Sequence, residues 1–206
     1  MSPTIKTVEQ FLAAYQGGQQ EFSQLSLPGA KLAEQYLPFV MLEDVDLEQA
    51  NLRSAILTGA SLIRANLEQA DLHRTNLIGA DLIRANLLKA RLVNVLLAAA
   101  NLSGANLSGA NLQQASLAGA NLNGANLRGA DLRGATLTGA TLFGTNLTKA
   151  NLRDVSLDEA KLSHTIMPNG YCLVGENEMD DDPNHSQVSL RNIAAYSRLS
   201  QNFKKF

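Results

Sequence analysis

The chain has 206 residues, of which 45% are hydrophobic, 5% aromatic and 17% charged, with a formal net charge of −2. That length suits one core of ordinary size, and the near-neutral balance argues against a dedicated nucleic-acid binder. The single cysteine, Cys172, excludes an internal disulfide and a multi-cysteine metal site.

The opening MSPTIKTVEQ lacks the basic-then-apolar layout of a secretory signal. No apolar run reaches the roughly 18 residues of a membrane span. The expectation is a cytoplasmic protein without membrane contact. Residues 1–20 read as an N-terminal capping helix. Thr7 and Gln10 have capping-box spacing, and Val8, Phe11, Leu12 and Tyr15 form an apolar stripe at helical spacing. Gly17 and Gly18 end it.

From Leu27 to Leu162 every fifth residue is leucine, 28 in succession, with Phe22 before them and Met167 after in the same phase. Two residues before the leucine stands alanine at 20 of the 28 places. Asn or Asp often lies between, as in Ala100-Asn101-Leu102. A period of five fits neither a 3.6-residue helix nor a two-residue strand alternation. It fits a chain that turns a corner every five residues and points leucine and alanine inward. Four near-right-angle sides close a coil of 20 residues. Coils then stack at the strand spacing, and seven of them make a rod of roughly 34 Å. Leu52, Leu72, Leu92, Leu107, Leu112, Leu132 and Leu152 stand for its core.

Of the 15 glycines, 11 lie two residues after a centre leucine, the third position of a turn where a positive φ suits glycine. Arg64, Gln69, Arg74, Arg84, Lys89 and Asn94 occupy that position instead, which predicts a different corner between 64 and 94.

The tandem A(D/N)LXX pattern resembles the pentapeptide-repeat family over roughly residues 21–168, in the style of its cyanobacterial members. The resemblance implies an all-β solenoid, a right-handed quadrilateral β-helix. Residues 21–168 are therefore read as the repeat domain and 169–206 as a C-terminal extension. Within that extension, Pro168-Asn169-Gly170 reads as a turn leading into it, 176–187 as an acidic linker, and 189–200 as a helix with Ser189 as N-cap. This helix caps the rod end, packs on its side, or joins two copies in a homodimer. The sequence leaves all three open.

Residues 20 apart fall into register, which turns the sequence into a surface map. Asn66, Asn86, Asn106, Asn126 and Asn146 form one ladder, read as a stabilising amide stack. Ile63 and Ile83 stack as a pair beside Arg64 and Arg84. Ile56, Ile78, Leu88, Val93 and Leu96 are outward on adjacent faces in nearby coils, and Ile63, Ile83, Ile78, Leu88, Arg64 and Arg84 make the candidate contact patch for an unidentified protein partner. His73, His164 and His185 are scattered, and no nucleophile, base and orienter stand at useful spacing. The sequence therefore suggests no enzyme, no catalytic or metal-binding residue and no cofactor.

The expected function is a non-enzymatic module that offers rigid faces to a protein. Some members of the resembled family modulate type II topoisomerases by imitating duplex DNA. Residues 46–165 carry nine acids and eleven bases, so this rod is a poor acidic mimic. The arginines Arg53, Arg64, Arg74, Arg84 and Arg91 spread over several faces without aromatics, so nucleic acid is not expected as a partner.

Overall fold

The computed structural model describes residues 5–174 and the strand residues 187–189. Between Glu21 and Ile166 the chain is a ladder of parallel single-residue bridges, each joining a residue to the one 20 positions on, such as Asn86↔Asn106 and Arg91↔Asn111. With a corner every five residues, this register makes a four-sided coil. The first side is centred on Leu42, Leu62 and Leu82, and the second on Leu47, Leu67 and Leu87. The third is centred on Leu52, Leu72 and Leu92, and the fourth on Leu57, Leu77 and Leu97.

The backbone pairing repeats without exception in the regular stretch. Each centre leucine donates its N–H to the coil above, as Leu87 does to the Asn106 carbonyl at 2.7 Å. Two residues on, the corner residue does the same, as Lys89 does to Ser108 at 3.0 Å. The small residue closes the turn onto its own leucine, as Ala90 does to Leu87 at 3.0 Å. The residue before the leucine donates downward, as Asn106 does to Ala85 at 3.0 Å.

Leucine and alanine fill the interior. Leu52, Leu72, Leu92, Leu107, Leu112 and Leu132 are fully buried, and Leu152 is nearly so. Burying a leucine fully stabilises by about 1.5–3 kcal/mol before chain entropy is subtracted. Three threonines replace alanine inside, at Thr75, Thr145 and Thr165. Their hydroxyls donate to the carbonyls of Leu52, Leu122 and Leu142, 23 residues back, at 2.6–2.7 Å, so no buried hydroxyl is orphaned.

The corners differ from expectation. Every fifth residue from Gln24 to His164 has positive φ, 64–68° at the glycines and 54–61° at the others. Arg64, Gln69, Arg74, Arg84, Lys89 and Asn94 all adopt it, so the corners at 64–94 share the left-handed third residue of the glycine corners. The two backbone bonds at each corner impose the conformation whatever the side chain. The left-handed φ still marks the composition of this phase, which holds 11 of the 15 glycines and no Val, Ile or Thr, the residues to which that conformation is least accessible. Pro28 and Pro38 sit one residue before a corner, where a fixed negative φ fits the turn.

At the N-terminal end, helix α1 spans Val8–Gln16. Thr7 Oγ1 accepts the Gln10 N–H at 3.3 Å, while Gln10 Oε1 reaches back to the Lys6 N–H rather than to that of Thr7. Phe11 is buried edge-on against Phe22, ring centroids 4.7 Å apart, and Tyr15 donates its hydroxyl to the Pro38 carbonyl at 2.9 Å.

At the other end, residues 167–170 make a turn closed by Gly170 N–H onto Met167. Cys172–Val174 then form strand β1 rather than continuing the turn region. β1 folds back antiparallel on Ile166 and buries Leu173 and Val174. Gln187–Ser189 form β2, parallel to β1 with Val174 opposite Ser189. The sequence had assigned Gln187 to a linker and Ser189 to a helix N-cap. Both are in a strand instead, because β1 offers them an edge to pair with. The rest of the expected linker and helix, and His185, lie outside the described residues.

Two outcomes follow. Leu107→Asp abolishes cooperative unfolding, and a normal melting transition for that variant refutes the packed interior. Lys89→Val is less stable than Lys89→Gly by about 1–2 kcal/mol in denaturant titration, and equal midpoints refute the left-handed corner.

Candidate interaction surface

The backbone pairing leaves one N–H per side without a partner in the ladder, that of the residue after the leucine. Over most of the rod a side chain takes it. The Asn or Asp before the leucine turns its Oδ1 onto this N–H two residues on. Asn51 serves Arg53, Asn86 serves Leu88, Asn106 serves Ser108, Asn111 serves Gln113 and Asp131 serves Arg133, all at 3.2–3.3 Å. This accounts for the recurring Asn and Asp, whose part in the backbone the sequence alone did not reveal. The signal was present: the residue type best able to form such an Asx turn recurs at the one spacing that reaches the orphan N–H.

The asparagine ladder lies on the second side. Amide bonds link Asn106 to Asn86, Asn86 to Asn66 and Asn66 to Asp46, at 3.0–3.2 Å. Asn126 and Asn146 continue the register with their oxygens turned to Arg128 and Thr148. With the oxygens committed to the backbone, the ladder reads as structure.

The six residues of the sequence-derived patch fall on three sides. Ile63 and Ile83 are half-buried on the first side, with Arg64 and Arg84 at its corner. Leu88 is on the second side and Ile78 on the fourth. Arg64 is engaged by Asp44 one coil below, through two bonds of 2.6 and 2.7 Å that hold the Asp44 carboxyl below the usual carboxylate range. Arg133 does the same to Asp131. These exposed pairs stabilise little. On the third side Asp71 gathers Arg53 at 3.1 Å and Arg91 at 3.8 Å.

The fourth side is different in kind. Its outward residues from Tyr36 to Gly139 include no charged side chain. They run Tyr36, Pro38 and Phe39, then Ile56 and Thr58, Asn76 and Ile78, Leu96, Ala98 and Ala99, Ser116 and Ala118, Thr136 and Thr138. Tyr36 is 68% exposed, Phe39 63%, Leu96 41%, Ile78 38% and Ile56 36%, so five of the eight large hydrophobics exposed among the described residues share this side. Phe39 lies over Gly59, where a Cβ would stand 2.6 Å from its ring. Ile56, Leu96, Ser116 and Thr136 stand where Asn or Asp stands elsewhere. Among the described residues the N–H groups of Thr58, Ala98, Ala118 and Thr138 accordingly find no acceptor in the protein. The side is therefore uncharged from Tyr36 to Gly139, carries its exposed apolar side chains between Tyr36 and Leu96, turns to small residues and hydroxyls from Ser116 on, and has unpaired backbone donors along its length.

The remaining candidates for chemistry do not converge. His73 Nδ1 is buried without a partner, yet its coil neighbours Arg53 and Val93 supply neither relay nor ligand. His164 Nδ1 lies 2.9 Å from Ser163 Oγ, with its ring against Phe143. Burial pushes the Cys172 thiol above its ordinary value, the reverse of an activated nucleophile. Among the described residues no group of three His, Cys, Asp or Glu is placed to hold a metal, and no helix is long and apolar enough to cross a membrane.

Residues 42–78, 60–97, 100–139 and 135–169 match the model of the pentapeptide repeats. No curated protein matches the chain. Among solved structures, the chain is similar to HetL, a pentapeptide repeat protein involved in heterocyst differentiation regulation from the cyanobacterium Nostoc sp. Strain PCC 7120. The two are 32% identical over 81% of this chain and 99% of that one, with a TM-score of 0.26. It is similar to Rfr23 from the cyanobacterium Cyanothece 51142 at 27% identity over 77% and 96%, TM-score 0.22. Full-length QnrB1, a plasmid-mediated fluoroquinolone resistance protein, is 15% identical over 89% and 97%, TM-score 0.43.

The Asx bonds predict opposite effects on two sides of the rod. Asn111→Ala lowers stability by about 0.5–1.5 kcal/mol by orphaning the Gln113 N–H, and Ser116→Asn raises it by giving Ala118 an acceptor. Denaturant titration checks both, and two changes of the same sign contradict the assignment.

Proposed function

Because the chain belongs to the pentapeptide-repeat family, whose fold is the right-handed quadrilateral β-helix, we propose that it is a non-enzymatic interaction module that receives a protein partner on its fourth side. The single observation that carries this reading is that side's makeup, with exposed apolar side chains from Tyr36 to Leu96, no charge from Tyr36 to Gly139, and unpaired N–H donors at Thr58, Ala98, Ala118 and Thr138. An apolar patch that also offers backbone donors suits a protein segment able to bury side chains and present carbonyls. A rigid β surface loses little entropy on docking, which favours binding through a fixed face.

The duplex-imitating alternative draws no support from the surface. The fourth side carries no charge from Tyr36 to Gly139, and the Asp44 and Asp131 carboxylates are paired with arginines. Ile63 and Ile83, on the first side, are half-buried and serve as the contrast in the test.

Affinity capture from a lysate with wild type, Ile56→Lys/Leu96→Lys and Ile63→Lys/Ile83→Lys decides between the sides. A specific protein lost only with the fourth-side variant is the expected result. Its retention by that variant overturns the assignment.

A further inference from the structure

Among the described residues, the C-terminal end of the rod is covered over only part of its cross-section. β1 closes the first and second sides by pairing with His164, Thr165 and Ile166. Above the third and fourth sides no described residue pairs with the last coil. The N–H groups of Leu152, Asp154, Leu157 and Glu159 point where every lower coil finds a carbonyl, and among the described residues they find none. The carbonyls of Ala150 and Val155, which in lower coils accept from above, are equally unused. Beneath this edge the core is open. Val155, Leu157 and Ala160 are half-buried, whereas their counterparts Ala135, Leu137 and Ala140 one coil down are fully buried. The rim carries Asp158 and Glu159, both exposed and in no ion pair among the described residues.

An exposed strand edge over an open apolar core is a template for pairing and is ordinarily covered. The chain supplies a segment that matches it in three respects. Residues 190–206 follow directly from β2, which is fixed beside Val174 at this same end. Extended, these 17 residues reach about 56 Å, far more than the two sides of one coil require. Their sequence, LRNIAAYSRLSQNFKKF, holds Leu190, Ile193, Tyr196, Leu199, Phe203 and Phe206, together with four bases and no acid.

We propose that residues 190–206 dock in cis on the C-terminal edge of the third and fourth sides, covering Val155, Leu157 and Ala160 and pairing with the N–H groups of Leu152, Asp154, Leu157 and Glu159. The bases of the segment face Asp158 and Glu159. The rod thereby ends without an open edge, and end-to-end pairing of two copies is blocked. This inference does not depend on the partner of the fourth side.

Residue-resolved amide hydrogen exchange on the full chain tests it. The four edge amides are expected to exchange at rates like those of Leu132 and Leu137. Ile193→Ser/Leu199→Ser is expected to speed them by at least about tenfold while leaving Leu107 unchanged. These substitutions lie outside the repeat, so the coil itself stays folded. Fast exchange of the edge amides in the wild type overturns the proposal. So does protection that the double variant leaves intact. Protection lost on dilution, with a two-chain mass in light scattering, also overturns it and assigns the edge to a second copy.

Discussion

A left-handed residue at every fifth position is the constraint from which the rest of this protein follows. It turns the chain through each corner, so that four corners close a coil and every residue meets its counterpart 20 positions on. Once the coil is closed, its interior admits one leucine and one small residue per side. The stacked backbones then pair through three of their five N–H groups, and a fourth closes the turn. The fifth is left over. Its fate distinguishes the sides: an Asn or Asp captures it over most of the rod, and on the fourth side it is mostly free.

The corner also shows tertiary structure overriding local preference. Arg84 and Lys89 adopt the same positive φ as Gly104 and Gly109 above them. A left-handed φ costs a side-chain-bearing residue about 1–2 kcal/mol, and two hydrogen bonds per corner with a buried leucine beside them outweigh it. The cost still leaves its mark on composition, since β-branched residues are confined to the other phases. Ile63, Ile78, Ile83 and Val93 all stand one residue before a corner, where φ is not left-handed.

The coil was legible in the sequence because 28 leucines in one phase admit no helical or flat-sheet reading. The helix at Val8–Gln16 was legible from Thr7, Gln10 and the spacing of Phe11 and Tyr15. The corners at 64–94 were not, because residue type suggests a turn but the backbone bonds dictate it. The fourth side was hidden for another reason. Grouping outward apolar residues by neighbourhood joined Ile63 and Ile83 with Ile56, Ile78, Leu88, Val93 and Leu96, which the coil places on four sides. The side shared by Ile56, Ile78 and Leu96 stands out only when the charged residues are tracked around the coil beside the 20-residue register. Strand β1 was missed because three residues, Cys172–Val174, carry no periodic signal and take their conformation from the edge they cover.

The φ angle at Arg64, Arg74, Arg84 and Lys89 in solution, from backbone scalar and residual dipolar couplings, tests the central constraint most directly. The account predicts left-handed values at all four, near the 54–58° of the structure. Negative values there, with glycine corners such as Gly104 and Gly109 still left-handed, contradict it.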